Sequence, residues 1–401
     1  MSPKLSSKPF FRGVPQGIGA GRLIPFLLVC VGSLVVLSGF LPLHWFRFQD
    51  YEIARQVLQW DAPFIPALQM QTSFFEGGEA QAGNLPPTEF LPSRSFTTDR
   101  FGFRFTPPVN PGKPPELVVM RGFSFIFGVG LGDEQTFPSA LARRIGMNTY
   151  NAARFHEDPE TPEDFDDLMA KLHAHPKTVV YVHLEPNDFV LSAQNERRDL
   201  GRRMIRFAKE YPLNWIRLSP MILNAVEAKK AVENDVFLHN GYRENVRSFR
   251  MPDGRSILVR SGDLARVETD FDASVVANRS DYIAWWNRQI TERGARMIVL
   301  LVPEKMSVYG PALGVKLPAD PLLDRMERDL TARGIKVVNG LTVLRATAES
   351  DLASGRLAFL REDEHWSADG VERLAQTVAN AILGSPLPSG VAESARRVQR
   401  P

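Results

Sequence analysis

The stretch that decides the fold runs from Val118 to Gly130 and reads Val-Val-Met-Arg-Gly-Phe-Ser-Phe-Ile-Phe-Gly-Val-Gly. It begins as an apolar run typical of a buried strand and continues into a turn that carries Ser124 between bulky apolar residues. A side chain just after a buried parallel strand lies where open α/β sheets bind their ligands. The stretch therefore predicts a parallel sheet with Ser124 at its ligand-binding edge, although a serine here can also simply cap the following helix.

Alternating strand and helix patterns continue along the chain and predict an α/β fold, a parallel sheet with covering helices. The predicted strands are 117–120, 148–151, 178–184, 297–302 and 335–338, and the predicted helices are 135–145, 162–173, 281–293, 321–333 and 368–383. The alternation lapses at about 190–280, which we interpret as an insertion that forms a lid or one wall of a groove. Within it, Pro252-Asp253-Gly254 between extended runs predicts a hairpin.

Charge is unevenly distributed at the amino terminus. The chain has 401 residues, of which 44% are hydrophobic, so it can bury a full core, and its net charge of +2 gives no reason to expect nucleic acid. An uncharged run at 23–43 is long enough to cross a bilayer as a helix, and Trp45 and Phe46 follow it as interfacial anchors. Four basic residues and no acidic residue precede this run, namely Lys4, Lys8, Arg12 and Arg22.

This pattern predicts an uncleaved transmembrane signal anchor, because the apolar run exceeds the usual length in a cleaved signal peptide, which is the alternative. The positive-inside rule then keeps the amino terminus in the cytoplasm and exports everything after Phe46, on a protein with a single membrane span. The only cysteine, Cys30, lies inside the run, so the exported part folds without disulfides. The predicted parts are a cytoplasmic tail (1–22), the anchor (23–46), a stalk (47–96), a folded domain (97–385) and a disordered tail (386–401).

The candidate chemistry combines Ser124 with Asp363 and His365, which stand just before the amphipathic helix at 368–383. A serine nucleophile needs a base, an acid that orients the base, and donors for the oxyanion. The ends of the predicted parallel strands meet at one edge, where Asn187 and the segment 303–305 would join Ser124. Glu362, three residues before His365, is the alternative orienting acid to Asp363. No metal-ligand spacing or phosphate loop occurs, so no metal or cofactor is predicted.

At these residues the chain resembles the SGNH/GDSL hydrolase superfamily, and in particular its alginate O-acetyltransferase-like branch. The resemblance extends over about 97–383 and rests on the order and spacing of four short motifs. They are Thr98-Asp99-Arg100-Phe101-Gly102-Phe103-Arg104, the Gly122 to Gly130 turn, Leu184-Glu185-Pro186-Asn187-Asp188-Phe189, and Asp363-Glu364-His365-Trp366.

The resemblance implies a three-layer α/β/α, flavodoxin-like sheet and a serine-dependent O-acetyltransferase or esterase. It would be anchored by one helix in a bacterial inner membrane, with its carboxy-terminal domain in the periplasm. Its substrate would be the O-acetyl groups of a cell-surface polysaccharide, and its partner a membrane-bound acyl-donor protein. Ser124 would be the nucleophile, His365 the base and Asp363 the orienting acid. The oxyanion would be held by the Ser124 N–H, a backbone N–H at Ala152 and the side chain of Asn187.

Two departures from the family's pattern support an alternative function. Phe123 stands where the family has aspartate before the serine, and Asn151-Ala152-Ala153 replaces the block whose glycine donates to the oxyanion. An alanine N–H can still donate, but an aromatic ring cannot replace a carboxylate's hydrogen bonds. The alternative is a catalytically degenerate binding or assembly module of a polysaccharide-modification or export complex. A Phe123 ring filling the space between Ser124 and His365 would favour this alternative.

Overall fold

The computed structural model describes residues 24–30, 32–33, 63–72, 77–83, 94–154, 161–186 and 246–384, together with 85, 88 and 91. The predicted tails at 1–22 and 386–401, the insertion residues up to 245, and Asn187 lie outside the described residues. Among the residues that are described, no helix is both long enough and apolar enough to cross a membrane. Only 24–30 and 32–33 of the predicted anchor are described, and they are helical.

The strands alternate with helices in the described part of the chain, as the sequence pattern predicts. The strands are β1 (Gln69–Thr72), β2 (Arg94–Thr97), β3 (Leu117–Arg121), β4 (Thr149–Ala152), β5 (Thr178–Leu184), β6 (Val246–Arg250), β7 (Ser256–Arg260), β8 (Arg296–Val302) and β9 (Lys336–Asn339). The helices are α1 (Gly78–Ala82), α2 (Phe123–Phe127), α3 (Phe137–Ile145), α4 (Pro162–Leu172), α5 (Ser261–Val267), α6 (Ala273–Glu292), α7 (Lys305–Tyr309), α8 (Leu322–Ala332), α9 (Gly340–Arg345), α10 (Ala348–Ser354) and α11 (Ala368–Leu383).

Five strands form one parallel sheet in the order β4-β3-β5-β8-β9. Numbered along the chain, this order is 2-1-3-4-5, the flavodoxin-like arrangement, and its topological switch point lies between β3 and β5. All five predicted strands are confirmed. Every residue of β3 and β5 is buried, so both faces of the sheet are covered. Helices α3 and α11 pack together, and so do α6 and α8.

One predicted helix is longer than its sequence pattern indicates. The prediction places it at 281–293, whereas α6 begins at Ala273. Asp272 caps this earlier start, because its Oδ1 accepts the N–H groups of Ser274 and Val275 at 2.8 and 3.1 Å. The buried residues of the first two turns are Val276, Arg279 and Ser280, two of them polar, so these turns carry little of the apolar periodicity from which the prediction was made.

The described part of the predicted stalk differs from the prediction, because it packs into the domain. β1 pairs antiparallel with β2, and Phe64 and Phe96 are fully buried against Phe127 in a small second core. The Phe64 and Phe127 ring centroids are 4.3 Å apart. The segment is rich in Gly, Pro and Gln, and its apolar anchors are too widely spaced to produce a periodic signal. The folded domain therefore begins well before residue 97.

The described part of the insertion, 246–280, forms the predicted hairpin and one wall of a pocket. β6 and β7 pair antiparallel around a turn at Gly254, whose φ is +83°. The Leu258 N–H donates to the Arg361 carbonyl at 2.9 Å, which joins β7 to the segment that precedes His365. Helix α5 follows β7 directly, and its residues Asp263 and Arg266 line the same pocket as Ser124. The insertion therefore lies at the edge of the sheet that carries Ser124.

Candidate active site

Ser124 lies on a tight turn between β3 and α2, at the switch point of the sheet. Arg121, Gly122 and Phe123 have φ values of +67°, +71° and +43°, so three consecutive residues adopt the left-handed region. Only a glycine fits at 122, because a Cβ there would overlap Ile126 and lie 2.8 Å from Cγ1 of Val182. Non-glycine residues in this region cost about 1–3 kcal/mol each and cluster at functional sites.

The turn leaves Ser124 in the first turn of α2, where a backbone N–H has no acceptor within the helix. Such an N–H is available to an anion, as the sequence predicts. Two side chains hold the turn from other elements. Asn151, at the end of β4, donates its Nδ2–H to the Ile126 carbonyl at 2.7 Å, and the Trp366 indole donates to the Phe125 carbonyl at 3.0 Å.

Asp363 and His365 form a fully buried dyad. The His365 Nδ1 and Asp363 Oδ1 atoms are 2.5 Å apart, and the same oxygen accepts the His365 backbone N–H at 2.9 Å. The other oxygen, Oδ2, accepts the N–H of Gly78 at 2.6 Å. Both carboxylate oxygens are therefore occupied, which orients the carboxylate toward Nδ1 and leaves Nε2 as the nitrogen that can take a proton.

Electrostatics within the dyad favour the ionised acid. Burial alone would raise the pKa of Asp363, but the His365 imidazole and the N–H donors outweigh it and lower the pKa to about 2. Burial alone would lower the pKa of His365, but the neighbouring Asp363 carboxylate outweighs it and raises the pKa above its ordinary value. Asp363 is thus charged at neutral pH and stabilises the protonated form of His365.

The segment that carries the dyad packs directly on the helix that carries Ser124. The rings of Phe125 and His365 lie 4.8 Å apart, and Trp366 stacks on Phe137 with a centroid distance of 5.6 Å. The dyad segment therefore contacts the residue next to Ser124, and the lining of the adjacent pocket includes Ser124 and Glu364 but, among the described residues, neither Asp363 nor His365. Glu362, the alternative orienting acid, accepts the backbone N–H of Thr88 at 3.0 Å with both carboxylate oxygens. The geometry favours Asp363 as the partner of His365.

A pocket with a volume of about 150 Å³ opens at this edge. Ser124 lines it with Phe123 and Phe125, and Val259, Asp263 and Arg266 of the insertion form the opposite wall. Phe123 is half-buried and packs against the main core while it borders the pocket beside Ser124. Further charged side chains on the lining are Glu79, Glu304, Lys305 and Glu364.

The predicted oxyanion donors are placed unequally. Ala152 is the last residue of β4 and pairs with Met120, and it is absent from the described pocket lining. The next N–H, of Ala153, donates to Asn151 Oδ1 at 3.1 Å. Asn187 lies outside the described residues. Of the three predicted donors, the structure places Ser124 at the pocket, and the roles of Ala152 and Asn187 remain predictions.

Two charged residues at the site have no role in the sequence-based prediction. Lys305 follows β8, where the sequence places it near the converging strand ends, but its function is not evident from its position. Glu79 lies in the predicted stalk, so no local signal connects it with Asp363 or His365. The two side chains form a buried ion pair beside the dyad segment.

A flavodoxin-like parallel sheet, a serine turn after its first strand and an Asp-x-His segment before its last helix together fit an SGNH hydrolase-like fold. Residues 260–400 match the family described as SGNH hydrolase-like domain, acetyltransferase AlgX. The chain is 32% identical over 101 residues to the probable alginate O-acetylase AlgJ of Pseudomonas putida, covering 25% of this chain and 26% of that protein. It is 31% identical over 99 residues to the probable AlgJ of Pseudomonas aeruginosa, covering 24% of each.

The chain thus spans about a quarter of the length of these curated relatives. Together the three matches confirm the resemblance to the alginate O-acetyltransferase-like branch of the SGNH hydrolases.

Proposed function

We propose that this protein is a serine-dependent O-acetyltransferase or esterase that acts on O-acetyl groups of a cell-surface polysaccharide. The observation that carries the proposal is the Asp363–His365 dyad, with its 2.5 Å Nδ1 to Oδ1 distance, packed against the helix of Ser124 at a pocket. The pocket lies at the switch point, where doubly wound sheets bind ligands. The similarity to AlgX and AlgJ supports acetyl as the acyl group.

In the proposed reaction, the Ser124 hydroxyl attacks the acetyl carbonyl while His365 Nε2 accepts its proton. The tetrahedral oxyanion is held by the Ser124 N–H, with Ala152 and Asn187 as the further predicted donors. His365 then donates the proton to the departing alcohol, which leaves an acetyl-serine. A glycan hydroxyl or water attacks this ester with His365 again as base, which releases an acetylated glycan or acetate and restores Ser124.

The cellular setting is part of the same proposal. The basic amino terminus and the uncharged run at 23–43 support an inner-membrane anchor with the domain in the periplasm, where a membrane-bound acyl-donor protein would supply acetyl groups. A periplasm-dependent reporter fused after Pro401 should be active, and a cytoplasm-dependent reporter at the same position inactive. The opposite result would contradict the location and, with it, the substrate class.

Single substitutions of the full chain, purified in detergent, test the chemistry by hydrolysis of a chromogenic acetyl ester. Ser124→Ala and His365→Ala should each lower kcat by several powers of ten, on the order of 10³-fold or more. Tm should change little in Ser124→Ala, but it should fall in His365→Ala, which leaves the buried Asp363 carboxylate without its imidazole partner. Ser350→Ala and His175→Ala are matched controls on exposed parts of α10 and the α4–β5 loop, and should leave kcat unchanged. Equal activity in wild type, Ser124→Ala and His365→Ala would overturn the proposal.

A second candidate, the non-catalytic binding or assembly module, is favoured by one observation, the position of Phe123 at the pocket beside Ser124. Phe123→Asp distinguishes the two, because aspartate tolerates positive φ and restores the carboxylate of the family's motif. Ester hydrolysis by wild type, changed only modestly in Phe123→Asp, supports the enzyme. An inactive wild type that gains Ser124-dependent hydrolysis with Phe123→Asp supports the module.

A further inference from the structure

A buried ion pair lies beside the dyad at the base of the pocket. Lys305, the first residue of α7, and Glu79 of α1 are 4% and 1% exposed, and their side chains are in direct contact. Both line the pocket that Ser124 borders. Burial raises the pKa of Glu79, while contact with the Lys305 ammonium opposes that change.

The Lys305 ammonium also binds the backbone that leads into the dyad. Its Nζ donates to the carbonyl oxygens of Leu360, Arg361 and Asp363 at 3.2, 3.3 and 2.8 Å. With Glu79 the ammonium has four acceptors for its three protons, so at least one proton is shared between two oxygens and no donor is left over. Three carbonyl groups of one four-residue segment therefore converge on a single positive charge, which fixes the path of the chain immediately before His365.

Helix α1 also contacts the same segment through its backbone. The Glu79 N–H donates to the Glu362 carbonyl at 3.0 Å, and the Gly78 N–H donates to Asp363 Oδ2 at 2.6 Å. The contact is so close that a Cβ at Gly77 would overlap the Glu362 carbonyl. Glu79 thus contacts the dyad segment through its backbone and binds Lys305 through its carboxylate. Lys305 in turn binds the carbonyl groups of the same segment, so Glu79, Lys305 and the segment each contact the other two.

A buried ion pair is a poor way to gain stability alone, because the desolvation of two charges offsets much of their attraction. Such pairs are better explained by what they orient. Here the oriented group is the segment that places the Asp363 carboxylate against the His365 imidazole. Small displacements of catalytic groups from their reactive positions can lower the rate by large factors.

We propose that Lys305 and Glu79 are positioning residues that hold the Asp363–His365 dyad in its catalytic geometry, with α1 as part of the active site. The inference rests on the proposed serine-dependent reaction. Neither side chain is assigned contact with the reacting atoms, so both act through the dyad.

The test compares Lys305→Met, which removes the charge and keeps the length of the stem, and Glu79→Gln, which keeps the shape and a neutral acceptor. Lys336→Met is the matched control, because Lys336 Nζ also reaches a backbone carbonyl, of Ala381, but on the exposed surface of β9. For each full-chain variant in detergent, kcat and KM for acetyl-ester hydrolysis are measured. The far-downfield proton NMR signal of the His365 Nδ1–H bound to Asp363 is recorded alongside.

For Lys305→Met we expect kcat to fall on the order of 10- to 100-fold with KM changed by about twofold or less, and the downfield signal to broaden or disappear. Glu79→Gln should change both in the same direction but less, and Lys336→Met should change neither. A folded Lys305→Met protein with wild-type kcat and an intact signal would overturn the proposal. If Lys305→Met does not fold, Glu79→Gln decides: a wild-type signal and kcat would overturn the proposal, and a weakened signal with reduced kcat would support it.

The NMR measurement separates this inference from the proposed function. A wild type that hydrolyses no ester contradicts the proposed reaction, yet the downfield signal still reports whether Lys305 and Glu79 hold the dyad. Conversely, an active wild type whose signal and kcat survive both substitutions keeps the reaction and removes the positioning role.

Discussion

At the scale of single residues, the site depends on the charge of His365 and on the acid beside it. Asp363 raises the pKa of His365 against the opposing effect of burial. A general base acts in its neutral form, so activity should decline as pH falls through this raised value. Because the ordinary histidine pKa is about 6.5, the acid limb of kcat/KM should have its midpoint above that pH.

The corresponding prediction concerns Asp363→Asn. Removal of the carboxylate leaves burial as the dominant influence, so the His365 pKa should drop and the acid limb of kcat/KM should move to lower pH. The maximum rate should fall as well, since asparagine can stabilise the wrong tautomer of the imidazole. The pH profile of acetyl-ester hydrolysis, measured for both proteins, checks this. An acid limb at the same pH in Asp363→Asn would show that another group titrates.

At the scale of elements, α1 is only five residues long, yet its Gly78 N–H donates a hydrogen bond to the Asp363 carboxylate and it carries Glu79. The position of α1 against the dyad segment depends on Gly77, because the Glu362 backbone leaves no room for a Cβ at this residue. Backbone cannot move aside as a flexible side chain can, so a larger residue must push α1 away from the dyad segment. The stability and activity of the domain should therefore both depend on this glycine.

Gly77→Ala should destabilise the protein by about 1–3 kcal/mol, as other overpacked sites do, and should lower kcat through the displaced Gly78 N–H and Glu79 side chain. Gly262→Ala is the control, since a Cβ there meets nothing within 4 Å. Thermal unfolding and ester hydrolysis measured for both variants check the prediction. A Gly77→Ala protein with wild-type Tm and kcat would mean that neither stability nor activity depends on the close contact between Gly77 and Glu362.

At the scale of the whole molecule, the site is assembled from distant parts of the chain, from α1 to the segment before α11. The second core around Phe64, Phe96 and Phe127 connects the amino-terminal segment to the helix of Ser124. Arg104 adds a partly buried ion pair with Asp133, with an Nε to Oδ1 distance of 2.9 Å. A domain boundary at residue 97 would remove part of this core and all of α1.

A fragment that begins at residue 97 should therefore be unstable or inactive, whereas one that begins at residue 47 should retain the Tm and ester hydrolysis of the full chain. Phe64 and Phe96 are both lost in the shorter fragment, and burial of each ring contributes about 1.5–3 kcal/mol. Adding Phe64→Ala to the longer fragment isolates one of the two contributions. A shorter fragment with full stability and activity would mean that the amino-terminal segment is only a stalk and is not part of the folded domain.

The sequence alone determined the features that depend on local pattern. The apolar run before Ser124, the valine-rich strand β5 and the amphipathic α11 can each be predicted from residues close together in the chain. The Asp363-x-His365 spacing is equally local, but Glu362 was an alternative orienting acid, and it is the structure that joins Asp363 to His365. The order of strand and helix patterns then limited the architecture to a parallel sheet, and the strand ends of such a sheet meet at one edge.

Only the tertiary structure decided which residues support that edge. The Gly78–Asp363 bond joins residues 285 apart in the chain, and the Lys305–Glu79 pair joins residues 226 apart. None of these four residues belongs to a periodic sequence pattern that would reveal its partner. The partner is determined by which residues the folded chain brings close together. Hydrophobic periodicity acts within one element, whereas a buried charge or a close glycine contact acquires its meaning only when distant elements pack together.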